Sequence, residues 1–594
     1  MKTFRLRTLR ALVLAIGLLP VGGLYGDTTL PAPESTPDAL VQSALSSELD
    51  GPSELRERLL RAALKRDSSF APARWQLGFV RWDNEWRDLD RAARLANSDE
   101  QLTAYRKRRD ALVDTADNHR ALAIWCHKNK LAAEERIHWL KVLEFDPSDA
   151  EAQQALGLQL YNGRLLTRKQ IEQEKIDAGN RLRVLKQWQP QVVKWHKAIE
   201  HGNAKERESA LKKLRSVSDA DALPALEAVF GNEGIQSNRL LIEVASRITG
   251  PVGTGVLLRR ALNSDVEPVR SAAIEQLKNR PLYSFIPQLI AAMPGTTTTR
   301  IEIYVEPDGT AVLDHDTFQH GLLGDEHILF QTIRPTAGTV WIAISQAAAI
   351  ERTAERQEQF NQQMGRRIRD VLTQTTDFKN LENKNVLLQQ WGDYNDLYSP
   401  PLTLRSTRHS AYRLTCSCFP AGTPILTITG SMPIEKVKVG DRVLSQNPQT
   451  GELTYKPVQG VTLRPASPLV EIGVGPETIR ATRGHPFWVN GRGWVLAKQL
   501  QVGQYLHGIG GAVPIDRMAE APAAEAYNLV VSDFDTYFVG QQRLLVHDNL
   551  PLEETAVVVP GLRPRPDVVA EAAPTIDTPS AKAEQNTAFP PAVR

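Results

Sequence analysis

Two copies of one pattern lie near the C-terminal end of this 594-residue chain, and they constrain its fold more than any other feature. The first copy runs from Gly430 to Val443 (G-S-M-P-I-E-K-V-K-V-G-D-R-V), and the second from Gly493 to Leu506 (G-W-V-L-A-K-Q-L-Q-V-G-Q-Y-L). They align without a gap, within a region where turn signals alternate with strand-like runs. Two related β units joined in tandem predict an all-β domain with a pseudo-twofold axis.

The duplication also brings two reactive side chains towards one centre. Thr423-Pro424 before the first copy is echoed by His485-Pro486 before the second. In a pseudo-twofold domain, the loop that carries Cys418 would face the loop that carries His485. Because nucleophilic catalysis needs a thiol paired with a histidine, both are candidate catalytic residues.

Ordered blocks of sequence around these two residues resemble the Hint family, which includes inteins and Hedgehog autoprocessing domains. The first block is C-F-P-A-G-T-P at 418–424, and T-R-G-H at 482–485 matches the T-x-x-H block. The closing blocks are Y-N-L-V at 527–530, T-Y-F-V-G at 536–540 and L-V-H at 545–547. The resemblance covers residues 416–549, under a quarter of the chain, and implies a Hint fold there.

This resemblance implies a rearrangement of the peptide bond before Cys418. The Cys418 thiolate would attack the carbonyl of Ser417 and replace the amide with a thioester. His485 would protonate the leaving nitrogen, and Thr482 would hydrogen-bond the scissile amide. The reaction would be a single turnover in cis that frees the upstream region, with no cofactor and no metal.

The downstream half of the site departs from the family. Inteins end in a His-Asn pair followed by Cys, Ser or Thr, whereas here Asp548 separates His547 from Asn549 and Leu550 comes next. Leucine offers no nucleophile, so we expect cleavage before Cys418 and no complete splicing. His547 and Asn549 remain candidate residues for Asn549 cyclisation.

Two other positions differ from many relatives. Asn528 stands where many carry an aspartate, and Asp535 where many carry a histidine.

The chain has only three cysteines, Cys126, Cys416 and Cys418, so it cannot be a disulfide scaffold. Cys126 lies on a predicted helix and is read as a small buried core residue. Cys416, two residues before the nucleophile, suggests a hypothesis: a strained disulfide with Cys418 would block attack until it is reduced. The alternative is that Cys416 is only a spacer.

The N-terminal residues predict export. Lys2, Arg5, Arg7 and Arg10 precede an apolar stretch from Ala11 to Leu24, which is typical of a signal peptide over residues 1–26. The mature protein would be periplasmic or secreted, with an uncleaved membrane tether as the alternative.

The region between the signal and the Hint blocks is predicted to be mainly helical. Residues 39–173 resemble tetratricopeptide-type repeats, because D-S-S-F-A-P-A-R-W-Q-L-G at 67–78 and D-P-S-D-A-E-A-Q-Q-A-L-G at 146–157 both look like the start of a helix pair. Residues 180–294 resemble HEAT repeats, above all D-V-E-P-V-R at 265–270 and the apolar residues after it. Such surfaces bind protein partners.

Three shorter segments complete the organisation. A small β insertion spans 298–335, a helix and linker occupy 340–415 with the linker itself at 391–410, and a disordered tail follows over 550–594. The insertion carries His315, His320 and His327 beside acidic residues, but their spacing favours turn residues over a metal site.

The balance of positive and negative residues limits the classes of partner that we expect. Lys plus Arg (71) nearly equals Asp plus Glu (69), so a nucleic-acid surface is not expected. The runner-up to self-cleavage is an exported scaffold that binds proteins through its helical surfaces and keeps an inactive Hint fold. A polymorphic toxin ranks third, because the tail after Asn549 is short.

Overall fold

The computed structural model describes residues 35–295, 297–308, 310–321, 324–334, 340–397 and 418–564. Seventeen α-helices lie in these residues, all before the Hint blocks: α1 Pro37–Ser46, α2 Glu54–Arg66, α3 Ala71–Gln76, α4 Leu89–Ser98, α5 Glu100–Asp110, α6 Ala116–Lys128, α7 Ala132–Phe145, α8 Ala150–Ala155, α9 Arg168–His201, α10 Ala204–Arg215, α11 Leu223–Phe230, α12 Ile235–Arg247, α13 Pro251–Asn263, α14 Glu267–Leu277, α15 Ile286–Ala292, α16 Val340–Thr375 and α17 Lys384–Tyr394. The signal peptide predicted over 1–26 lies outside the described residues.

Strands form three small sheets among the helices and one large sheet after them. The small sheets contain β1 Phe79–Trp82, β2 Glu85–Asp88, β3 Leu158–Tyr161, β4 Arg164–Thr167, β5 Thr297–Val305, β6 Ala311–Gly321 and β7 Gly324–Ile333. The large sheet contains β8 Phe419–Pro420, β9 Pro424–Thr427, β10 Gly430–Pro433, β11 Arg442–Gln446, β12 Leu453–Val474, β13 Glu477–Thr482, β14 Pro486–Val489, β15 Gly493–Leu496, β16 Tyr505–Gly508, β17 Gly511–Pro514, β18 Arg517–Val531, β19 Thr536–Val539 and β20 Leu544–His547. The predicted fold class, helical first and all-β Hint-like after, is confirmed.

The two similar stretches of the first helical region do repeat a structural unit, but the unit is not the helix pair that we predicted. In each, a short helix (α3 or α8) leads into a two-stranded hairpin and then a further helix (α4 or α9). The hairpin turns have positive φ at both central residues, Asp83 and Asn84 in one and Asn162 and Gly163 in the other. Asx and Gly residues are favoured there because such turns match the twist of the strands.

A second helical layer buries one continuous apolar core. Helices α9 to α15 supply most of it, and Ile368, Val371, Leu372 and Leu387 of α16 and α17 complete it. Helix α14 begins at Glu267, where the D-V-E-P-V-R motif predicts a helix. The HEAT and tetratricopeptide assignments stay predictions.

The structure agrees with part of what we predict for the β insertion and the linker. Strands β5, β6 and β7 form an antiparallel sheet, and the side chains of His315, His320 and His327 lie outside the described part of the structure. The linker prediction is wrong at its start, because Trp391 to Tyr394 end helix α17.

The duplication in the β region has a matching structural repeat. Each copy is a strand, a single 3₁₀ turn and a second strand: β10, Ile434–Lys436 and β11 in the first, β15, Ala497–Gln499 and β16 in the second. Strands β12 and β18 are long, antiparallel partners that connect the copies, with irregularities in register near Val458 and Ser467. Their inward side chains form the core with Phe419, Phe487 and Tyr537.

The segment after Asn549 is ordered where the structure describes it, so the predicted disorder is wrong for residues 550–564. Val557, Val558, Val559 and Leu562 are each at most 7% exposed. The overall composition of the tail hides this short apolar run, which packs because the helical region lies beside it. We call residues 551–564 the C-terminal strap.

Among the described residues, no helix combines the length and the apolar character that crossing a membrane requires.

Candidate active site

Cys418 and Thr482 are joined by two hydrogen bonds. The backbone N–H of Cys418 donates to the Thr482 hydroxyl oxygen at 2.8 Å, and the backbone N–H of Thr482 donates to the Cys418 carbonyl at 2.9 Å. Both residues are fully buried. Thr482 ends β13, while Cys418 immediately precedes β8, whose Phe419 and Pro420 pair with β18. The amide nitrogen that cleavage would release is therefore held by a buried hydroxyl.

His485 lies in the turn that follows Thr482. Its backbone N–H donates to the Thr482 carbonyl at 3.0 Å, which closes the turn before β14. The imidazole is fully buried, with its ring centroid 4.1 Å from that of Phe419 and 5.6 Å from that of Phe487. The structure thus places His485 against Phe419, the residue that follows Cys418, in the same buried region as Thr482.

The upstream chain covers this turn. A Cβ atom on Gly484 would lie 1.7 Å from the Asn395 carbonyl oxygen, so only glycine fits against the end of α17. Arg464 of β12 fixes the same segment through an ion pair with Asp396 at 2.7 Å. Lys498 donates to the Tyr394 carbonyl as well. Residues Tyr394 to Asp396, at the end of the helical region, therefore lie against the turn that carries His485.

A buried tyrosine links the two halves of the site. The Tyr537 hydroxyl donates to the Asn528 side-chain oxygen at 2.6 Å, and the same oxygen accepts the Leu529 backbone N–H at 2.7 Å. Burial raises the pKa of Tyr537 well above its ordinary value, and the Cys418 and Asp548 side chains add to the rise. At neutral pH Tyr537 is therefore protonated and acts as a hydrogen-bond donor.

Asp548, which interrupts the His-Asn pair, is built into the core. Its two carboxyl oxygens accept the backbone N–H groups of Val531 and Leu550, each at 2.8 Å. Burial raises the pKa of Asp548 to about 8, and the neighbouring Asp535 contributes to the rise. The carboxyl group is therefore largely protonated at neutral pH.

His547 and Asn549 lie on either side of Asp548 and are also buried. Burial lowers the pKa of His547 to about 4, so its imidazole is neutral at pH 7. One edge of the ring meets Trp494, and Nδ1 lies 3.2 Å from the Asp548 carbonyl oxygen. The backbone N–H of Asn549 donates to the Leu529 carbonyl at 3.0 Å. His547 thus ends strand β20 of the large sheet, and Asn549 is held against β18 two residues later.

Sequence reasoning gave no role to Tyr537 or Asp548. Tyr537 stands in a closing block, and Asp548 was noted only as an interruption, so both could have been suspected from their positions. Asp535 lies next to Asp548 and its burial raises its pKa to about 6. Among the described residues, no group of three or more His, Cys, Asp or Glu side chains could hold a metal ion.

Comparison with known proteins supports the family resemblance. Residues 424–549 match the model of the pretoxin HINT domain family. The solution structure of a bacterial intein-like domain from Clostridium thermocellum is 38% identical, with 22% of this chain and 99% of that one covered and a TM-score of 0.22.

Two inteins are more distant in sequence. A DnaB intein from Synechocystis sp. PCC 6803 is 19% identical over 23% of this chain and 100% of its own, with a TM-score of 0.21. The zinc-bound splicing domain of the Msm DnaB1 intein is 21% identical over 22% of this chain and 99% of its own, with a TM-score of 0.20. Comparison with curated protein sequences finds no match. The family model therefore identifies the C-terminal domain of this chain, over residues 424–549, as a Hint domain.

Proposed function

We propose that this chain is an exported protein whose Hint domain cleaves the peptide bond between Ser417 and Cys418 through a thioester. The observation that carries the proposal is the hydrogen bond of 2.8 Å from the Cys418 amide nitrogen to the Thr482 hydroxyl, inside a buried site that also contains His485.

The first step is attack by the Cys418 thiolate on the Ser417 carbonyl carbon. A bond forms from Sγ to this carbon, and the bond from the carbon to the Cys418 nitrogen breaks. His485 takes the proton of the Cys418 thiol and delivers it to the nitrogen, which becomes the free α-amino group of the downstream product. An amide nitrogen is a poor leaving group until it is protonated, so proton delivery controls the step.

Thr482 prepares the amide for this step. Its hydroxyl oxygen accepts the N–H of Cys418, which orients the amide nitrogen that has to leave. Water then hydrolyses the thioester, giving a carboxylate on Ser417 and restoring the Cys418 thiol. Another small nucleophile, such as an added thiol, can replace water.

The downstream half supports cleavage rather than splicing. Leu550 has no nucleophilic side chain, and its backbone N–H is held by the Asp548 carboxyl at 2.8 Å. His547 is displaced by one residue from the position that would assist Asn549 in inteins. Upstream cleavage is therefore the favoured outcome.

Export rests on the sequence of the first residues. The basic residues before the apolar stretch from Ala11 to Leu24 support a signal peptide, and a periplasmic or secreted product. The helical surfaces are proposed to bind a protein partner.

A second function, a scaffold with an inactive Hint fold, is favoured by one observation. Cys418 is fully buried, so the water or thiol that would resolve a thioester on its sulfur can enter only if the site opens. The two functions differ in whether the chain cuts itself.

Tags at both ends of the full chain test the proposal. After expression and denaturing electrophoresis under reducing conditions, wild type should give a C-terminal fragment that begins at Cys418, and Cys418→Ala should give only full-length protein. Cys126→Ala is the matched control, since Cys126 is a buried thiol in the helical region, and it should cleave like wild type. Full-length protein alone in all three would favour the scaffold.

A further inference from the structure

Cleavage before Cys418 would leave two chains, and we propose that they remain bound to each other as a noncovalent complex. The helical region would be one partner, and the Hint domain with its C-terminal strap the other. The inference rests on the proposed function for how the cut arises. The surface that carries it involves neither Cys418 nor His485.

An apolar core is shared across the future cut. The Hint domain contributes Trp488, Trp494 and Phe538, which pack with Val80 and Leu89 of the helical region. Each of these five side chains is at most 7% exposed. Separating the products would expose them all to water, which opposes dissociation.

The strap binds the helical region from the other side. Val558, Val559 and Leu562 pack into one cluster with side chains of α1, α2 and α3. Backbone groups of the strap are paired too, since Gln76 donates to the Pro560 carbonyl at 2.9 Å and the Arg563 backbone N–H donates to Gln42 at 2.8 Å. Because the strap belongs to the downstream product, it holds that product on the upstream one.

Buried polar groups from the helical region and the Hint domain also contact each other across the same interface. Glu48, fully buried in the turn between α1 and α2, forms an ion pair with Arg56 of α2. Two side chains of the Hint domain also approach the Glu48 carboxylate. The Asn490 side-chain nitrogen lies 3.2 Å from it, and His507 Nδ1 lies 3.6 Å from it. Such complementarity makes the contact specific for this partner.

A row of ion pairs extends the interface along α5 and α7. Glu134 is only 1% exposed and accepts two hydrogen bonds from the Arg442 guanidinium, at 2.7 and 2.8 Å. Arg109 pairs with Asp441 at 2.5 Å, and Arg136 pairs with Asp533 at 2.8 Å. Bidentate pairs of this kind fix orientation as well as adding attraction.

The interface therefore has the features of a permanent contact: an apolar core, matched buried charges and a strap that reaches across. The cut would change the connectivity of the molecule and expose two new chain ends, without freeing the helical region. This revises the release that the family resemblance implies.

A cut made by an added protease tests the inference without relying on self-cleavage. A recognition site for a sequence-specific protease is placed between Leu397 and Cys418 in the full chain, which also carries Cys418→Ala and an affinity tag at its N-terminus. After complete cutting at micromolar concentration, the downstream fragment should stay on the affinity resin through washing and should co-elute with the upstream fragment in gel filtration. Separation of the two fragments at this concentration would overturn the inference, whether or not wild type cleaves itself.

Single substitutions test whether the strap holds the two fragments together. Leu562→Asp, at a 2% exposed position in the strap, should speed dissociation of the cut protein at least tenfold, whereas Val502→Asp, at a 60% exposed position of the Hint domain, should not change it. Circular dichroism and the elution volume of each uncut protein check folding, and Leu562→Ala replaces Leu562→Asp if the latter misfolds. Equal dissociation rates for the folded Leu562 variant and wild type would show that the strap does not hold the products together.

Discussion

The hydroxyl oxygen of Thr482 accepts the backbone N–H of Cys418 at 2.8 Å, while the Thr482 N–H donates to the Cys418 carbonyl at 2.9 Å. This reciprocal pair fixes the residue on the downstream side of the proposed cut. It also places the beginning of the His485 turn against the same residue, because the His485 N–H donates to the Thr482 carbonyl.

Removing the Thr482 hydroxyl should slow cleavage before Cys418. Thr482→Ala leaves the amide without its side-chain acceptor, and loss of this positioning should cost on the order of a hundredfold in rate. Thr482→Ser keeps the hydroxyl and should stay within about tenfold of wild type. Fragment formation over time, measured by electrophoresis, checks both. Equal rates for the alanine and serine variants would remove Thr482 from the account.

Loss of the His485 imidazole should abolish thiol-induced cleavage. Without a proton the amide nitrogen cannot leave, so His485→Ala should reduce the rate on the order of a hundredfold or more. His127→Ala, at an exposed position of the helical region, is the control and should cleave at the wild-type rate. A His485→Ala protein that cleaves normally while keeping its melting temperature would contradict the proton-donor role.

Stability should fall as pH rises from about 6.5 to about 8. The Asp548 carboxyl keeps its proton in the folded chain up to a pKa of about 8, but loses it in the unfolded chain near its ordinary pKa of 3.8. Its contribution to stability is therefore lost progressively between these two pH values. His547 acts in the opposite direction only between its folded pKa of about 4 and its ordinary pKa of 6.5. Above pH 6.5, only Asp548 of these two groups still makes the stability depend on pH.

Asp548→Asn should flatten that slope. Chemical denaturation at several pH values between 6.5 and 8.5 measures the free energy of unfolding for wild type and variant. The variant is expected to be less stable at pH 6.5, because an amide offers only one oxygen to the Val531 and Leu550 N–H groups. An unchanged slope in the variant would show that another group titrates.

The Glu48 and Arg56 ion pair should matter far more to stability than an exposed pair nearby. Burial alone would raise the pKa of Glu48, but Arg56 and His507 outweigh burial and keep it below its ordinary value. Glu48→Gln leaves the Arg56 charge buried and should destabilise the fold by about 3–5 kcal/mol. Glu57→Gln removes an exposed pair with Arg61 and should cost less than about 1 kcal/mol. Similar losses in both variants, measured by denaturant unfolding, would show that the interface does not depend on the buried pair.

The sequence predicts the β domain well because its duplication is local and regular. The copies that begin at Gly430 and Gly493 each give a strand, a 3₁₀ turn and a strand, and the pseudo-twofold arrangement brings His485 against Phe419. Candidate residues were found because their blocks keep family spacing. Their roles in catalysis stay predictions.

What the sequence hides depends on contacts between distant segments. Val559 is an apolar residue in a tail whose overall composition is typical of disordered segments. The helices of the N-terminal region provide the surface on which it packs. Asp548 reads as an interruption, and its raised pKa exists only because the fold buries it beside Asp535. The hairpin turns at Asp83-Asn84 and Asn162-Gly163 carry a local turn signal, but the helical periodicity around them predicts helix pairs.

Intact mass of the purified full chain, with and without a small thiol, tests the central claim most directly. We expect the thiol to convert the protein into a downstream product beginning at Cys418 and an upstream product ending in a thioester of Ser417 with the added thiol. Cys418→Ala should give neither. A fragment ending in an Asn549 succinimide, with the bond between Ser417 and Cys418 intact, would contradict the account and make His547 and Asn549 the active residues.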